Sequence, residues 1–185
     1  MSQKILEELV DRLRTAAASE ERSSAIRTLL QSSQSRKDEF ADAIAALNED
    51  EVMLFEDSTC SIWTCRYGSS LVLAPHEHRM GVHVAVYRGT EVEVLYKRLP
   101  GSLQHSGNSA VGTGDVVYLD EDVIHGVTAD GDGQSHAIHV YEGPLTHIQR
   151  SLFDRVTGDD VEFTMKNFHA MARNKADMDE FNPVD

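Results

Sequence analysis

The sequence predicts a mainly β protein, an antiparallel barrel or jelly roll, with helices covering it at the N-terminus and a helical segment after it. Between residues 51 and 150, short runs rich in β-branched and aromatic residues are separated by Gly, Asp, Ser or Asn, with no helical period between them. Residues 1–48 instead repeat their apolar side chains at helical spacing. At 185 residues the chain suits one domain: helical cover (1–48), barrel (51–150), helical segment (151–175) and acidic tail (176–185).

The N-terminal part carries three amphipathic stripes. Ile5, Leu6, Leu9, Val10 and Leu13 form the first, Ala25, Ile26, Leu29 and Leu30 the second, Phe40, Ile44 and Leu47 the third. Ser35 with Asp38 three residues later reads as a capping box opening the third helix. Short helices of this kind need a surface to lie against, and a sheet supplies one.

The strand runs are VMLFE, TCSIWTCRY, SSLVLAP, VHVAVYRG, EVEVLYKR, DVVYLD, VIHGVTA and SHAIHVYEG. Several are apolar on both faces, as expected of a barrel that packs on itself inside and is covered outside. Phe163, Phe168 and Met171 suggest one face of a helix over about residues 161–174, and the tail NKADMDEFNPVD, acidic with a proline, is expected to fray.

The charge is 17 basic against 31 acidic residues, a formal net of −14, which repels phosphate backbones and anionic lipid. Nucleic-acid and membrane partners are therefore not expected. The first residues, MSQKILEELVDRLRT, lack the apolar core of a signal peptide. Cys60 and Cys65 stand on opposite faces of a strand, so no local disulfide is expected; a reducing, cytoplasmic setting follows, with both read as ordinary half-buried thiols.

His76 and His78 share strand parity at the end of LVLAPHEH, and His125 follows the Gly114-Asp115 turn and a further strand. Three imidazoles brought together make a metal site with open coordination positions. Glu77, between the two ligands, faces outward, and His83 has the opposite parity, so neither is read as a ligand. His105 and His147 are placed in solvent-exposed loops, and Trp63 and Tyr118 in the barrel wall.

These residues resemble the two motifs of the cupin superfamily: His76, His78 and Gly89 fit the first, Gly114 and His125 the second. Val82 stands where the usual glutamate ligand would be, Asp120 and Asp122 where Pro and Gly are usual, and Ala129 where Asn is. A three-histidine set without the glutamate is similar to the thiol dioxygenase branch, the cysteine and 3-mercaptopropionate dioxygenases. In AIHVYEGPLTHIQRSLFD, His139 and Tyr141 match the last two members of that branch's Ser-x-His-x-Tyr relay, while Ala137 replaces the serine. Arg150 lies where bacterial members hold the substrate carboxylate, and no Cys–Tyr crosslink to Tyr141 is implied, because Val82 stands about where that cysteine would be.

The resemblance implies a double-stranded β-helix binding Fe(II) through His76, His78 and His125, with catalytic Tyr141 and His139 and substrate-binding Arg150. It implies oxidation of a small carboxylated thiol to its sulfinate with O₂. Zinc, nickel or manganese also suits three imidazoles. Two other readings stay open: a three-histidine dioxygenase acting on a β-diketone or similar chelating substrate, and a non-catalytic cupin binding a metal or metabolite. The open sheet edges of a jelly roll also leave room for a homodimer.

Overall fold

The computed structural model describes residues 2–181. Three helices come first: α1 (Ser2–Ala17), α2 (Arg22–Ser33) and α3 (Lys37–Ala45). The strands follow as β1 (Glu51–Glu56), β2 (Ser61–Tyr67), β3 (Leu71–Val72), β4 (His76–Glu77), β5 (Val82–Arg88) and β6 (Thr90–Leu99). Next are β7 (Ser102–Gly112), β8 (Val116–Leu119), β9 (Ile124–Asp130) and β10 (Ser135–Tyr141). Beyond these lie β11 (Ser151–Phe153), β12 (Asp160–Glu162), α4 (Met165–Ala170) and β13 (Arg173–Asn174).

Two antiparallel sheets face each other, in the orders β1-β2-β10-β5-β8 and β12-β11-β4-β9-β6-β7, with a small β13-β3 pair beside them. From β4 onward the chain crosses repeatedly between the sheets: β4, β6, β9 and β11 lie in one, β5, β8 and β10 in the other. From there on, among the described residues, only the β6–β7 and β11–β12 pairs stay within one sheet. This back-and-forth is the expected jelly roll, with helices at both ends.

Strand parity divides the first sheet into two faces. Val82, Val84, Val86, Ala137 and Tyr141 point into the barrel. Ile62, Ala85, Tyr87, Ile138 and Val140 point the other way, where Leu9, Leu13, Ile26, Leu30, Phe40 and Ile44 of the helices cover them. The three stripes read from the sequence thus bury against the outer face of a sheet. Ser33 closes the contact, its hydroxyl 2.7 Å from that of Tyr87.

Four expectations are corrected. The polar stretch 102–112 is a strand, β7, paired along β6, and His105 is a half-buried residue of it rather than a loop residue. An edge strand with few apolar residues gives no apolar signal to read. The helix expected over 161–174 is only the six-residue α4, capped by Thr164, which accepts from the Asn167 amide at 3.1 Å. The residues around it form strands instead: Leu152 pairs with Val161, and Arg173 with Val72, because nearby sheet edges satisfy their backbone groups.

Ser35 does not open α3; its hydroxyl donates to the Ser32 carbonyl at 2.9 Å in the preceding turn, and Arg36 holds the cap position. Nor does the tail fray through Phe181. Met178 is buried with Val72, Val92 and Val94, Phe181 packs against that cluster, and Asn108 donates to the Glu180 carbonyl at 3.3 Å. Residues 182–185, with Pro183, lie outside the described residues.

Candidate metal centre

His76 and His125 are direct register partners on β4 and β9, and β4 ends one residue before His78. Arg79 then takes a left-handed conformation, φ 55°, turning the chain toward the opposite sheet; its guanidinium holds Glu77 at 2.6 Å on the outer side. Gly89 and Gly114, the other motif positions, have φ of 74° and 99°, and a Cβ at Gly89 would sit 2.7 Å from the Gln134 carbonyl oxygen.

The three rings converge. The His78 Nε2 lies 3.1 Å from the His76 Nε2 and 3.3 Å from the His125 Nε2, and all three residues are buried. His76 donates from Nδ1 to the Ala74 carbonyl at 3.0 Å, and the His125 Nδ1 faces the Glu93 carboxylate. Those partners assign the protons to Nδ1, leaving lone pairs on both Nε2 atoms. A single proton on His78 Nε2 could serve only one of them. Three lone pairs around one cation serve all, and metal–nitrogen bonds of about 2.1 Å would place neighbouring nitrogens about 3.0–3.4 Å apart. The donor set therefore fits a metal ion, and no carboxylate or thiol joins the group among the described residues. Burial, then the neighbouring His125, holds His76 and His78 well below the usual histidine range, in the neutral form that ligation requires.

Behind the triad lie two residues the sequence reading passed over. Glu91 and Glu93 of β6 are fully buried, and both point into the barrel. Glu93 meets His125, while Glu91 approaches the His139 Nε2 at 3.0 Å. Burial works to raise Glu93, but His125 and His139 outweigh it and keep the carboxyl below the usual range. Alternation of Glu with Val in EVEV was the available signal, yet it ordinarily marks acids facing solvent. Here the polarity is reversed.

His139 and Tyr141 share the inner face of β10 with Ala137, as their parity required, and the His139 Nδ1 lies 3.4 Å from the Tyr141 hydroxyl. Tyr141 packs edge-on against His78, ring centroids 5.0 Å apart. Ala137 offers His139 no polar neighbour, but its register partner Cys65, on β2, lies near that ring and lines the same chamber as Tyr141. Burial opposes a charge on His139, and Cys65, Glu91 and Tyr141 together outweigh it, holding its pKa well above the usual range. Cys65 is thus part of the site rather than an ordinary thiol. Cys60 lies on the opposite face beneath the helices, and both are free.

A small chamber of about 40 Å³ opens beside the triad, lined among others by His76, His78, Tyr141, Cys65 and Arg150. Arg150 therefore lines the chamber beside the triad. Its guanidinium stacks on Phe163, 3.3 Å from the ring centroid. Outside it lies a cavity of about 650 Å³ lined by Leu145, Ile148, Val161, Phe163 and others. Trp63 lines both spaces, so it is a site residue and not merely barrel wall. Tyr118 faces outward, 40% exposed, against His83.

The remaining histidines lie elsewhere. His83 donates to Glu142 at 2.9 Å on the outer face, as its parity required, and the exposed His147 pairs with Glu56 at 3.0 Å. No helix among the described residues is long and apolar enough to cross a membrane.

No protein-family model matches the chain, and no curated protein matches it. Solved structures resemble it over about half its length. One is a conserved protein with a double-stranded β-helix domain from Klebsiella pneumoniae, 15% identical, covering 57% of this chain and 81% of that one at a TM-score of 0.44. An RmlC-like cupin from Methanocaldococcus jannaschii is 14% identical over 53% of this chain and 84% of its own, TM-score 0.42. An oxalate decarboxylase from Bacillus subtilis is 18% identical over 51% of this chain, which spans 24% of that longer protein, TM-score 0.40.

Proposed function

We propose that this chain is a non-haem iron(II) thiol dioxygenase acting on a thiol that carries a carboxylate. The observation that carries the reading is a cluster of three imidazoles with no acid in it among the described residues, two of which, His76 and His78, line a chamber with the Arg150 guanidinium. His76, His78 and His125 would hold the ion, and three neutral donors leave its full charge available to anionic ligands such as thiolates. When bound, iron(II) supplies the Lewis acidity that ionises a thiol and the one-electron chemistry that dioxygen requires.

The balance is simple: a thiolate and O₂ give a sulfinate, both oxygen atoms passing to sulfur, with four electrons moving from sulfur to oxygen. Arg150 would grip the substrate carboxylate through its planar fork and fix the direction of the carbon chain. Tyr141 holds its hydroxyl proton toward the chamber: burial, and Cys65 nearby, push its pKa up even against His139. His139 orients that hydroxyl, and the tight walls keep bulk water from the reacting end.

The test is oxygen uptake by the iron-loaded protein with a panel containing 3-mercaptopropionate, cysteine, cysteamine and a β-diketone. Carboxylated thiols should be consumed with sulfinate formed. Arg150→Ala should lower kcat/KM for them about 10- to 100-fold, the worth of a buried charged hydrogen bond, and leave cysteamine nearly unaffected. Consumption of the diketone alone, or no uptake with iron bound, would overturn the assignment.

A further inference from the structure

We infer that the natural ligand is larger than a simple mercapto acid: its thiol end enters the inner chamber, its carboxylate meets Arg150 at the mouth of that chamber, and an uncharged apolar tail fills the outer cavity. This rests on the head group proposed above. The inner chamber, about 40 Å³, has room for about one water molecule, whose share of liquid volume is about 30 Å³. Only the reacting end of a substrate can sit there. The outer cavity, about 650 Å³, falls within the range of about 300–1,000 Å³ typical of small-molecule sites, far more than a three-carbon acid would use.

The two spaces adjoin. Trp63, Leu145, Arg150, Phe163 and Met165 line both and form the waist between them. A carboxylate placed next to the thiol would meet Arg150 at that waist. Anything attached beyond it then lies against Ile148, Val161 and Phe163. Asp160 and Glu162 also line the outer space, so an anionic extension is disfavoured and a neutral acyl or aryl group fits. The chemical class is an N-acylated or similarly extended mercapto acid.

Trp63 is the chain's one tryptophan and lines both compartments, so its fluorescence reports occupancy without any turnover. Metal-free and iron-loaded protein would be titrated with cysteine and its N-acetyl, N-butanoyl and N-hexanoyl derivatives, and with N-hexanoyl-alanine, which has no thiol. Affinity should rise about two- to fourfold per added methylene, as apolar burial predicts, in both forms of the protein. Val161→Thr, nearly the same shape, and Ile148→Ala should each flatten that slope.

An affinity that is flat or falls with tail length would overturn the inference, even if cysteine or 3-mercaptopropionate is oxidised. A rising slope, shared by N-hexanoyl-alanine, with no thiol consuming oxygen would support the tail site while defeating the dioxygenase reading. The two failures are therefore separable.

Discussion

Glu93 is fully buried and directs its carboxylate at the back of His125. Such a partner fixes which imidazole nitrogen is free and raises its donor strength. Glu93→Gln should therefore weaken metal affinity about 10- to 100-fold, measured by competition with a chromophoric chelator, while leaving the fold intact. An unchanged affinity would mean that His125 is oriented by packing alone. At this scale the sequence was legible where side-chain parity decides: His76, His78, His139 and Tyr141 stand on the faces their spacing requires, and His83 points away. It was not legible where a strand reverses its usual polarity. Glu91 and Glu93 drew no notice, and Cys65 read as an ordinary thiol, because only burial and the register between strands reveal what lies beside them.

The N-terminal helices rest on the outer face of a sheet whose inner face serves the chamber. Leu30 of α2 has no solvent exposure and packs in that outer layer. Leu30→Ala should cost about 2–5 kcal/mol in denaturant unfolding, through lost burial and the void left behind, with metal content unchanged. A parallel loss of metal would show that the helices hold the triad in place. These helices were readable because their stripes are long and periodic. The C-terminal strands were not: β11 and β12 are three residues each, and their reason to exist is a neighbouring sheet edge, which no local pattern records. Polar β7 went unseen for the same reason, its backbone pairing supplied by β6.

Across the whole molecule, buried histidines set the response to acid. Burial holds His76 and His78 well below the ordinary 6.5, and His83 and His136 below it. The unfolded chain then takes up protons that the folded chain refuses, so stability falls as pH drops below about 6.5. His139 acts oppositely. Its raised folded-state pKa gives stability that is full below the unfolded value and lost as pH climbs through the folded one. Metal-free protein should be most stable near neutrality, declining on both sides in thermal melts between about pH 5 and 9. A melting temperature that keeps climbing through the alkaline range would show that His139 carries no charge.

One strand, β6, joins the two ends of this architecture. Its acids look inward toward the histidines, and Val92, Val94 and Tyr96 look outward, where Met178 and Phe181 shelter them. The last described turn of the chain is consequently a roof over the reverse side of the chemistry. A lesion there and a lesion among the ligands would strain the same ribbon of backbone from opposite sides.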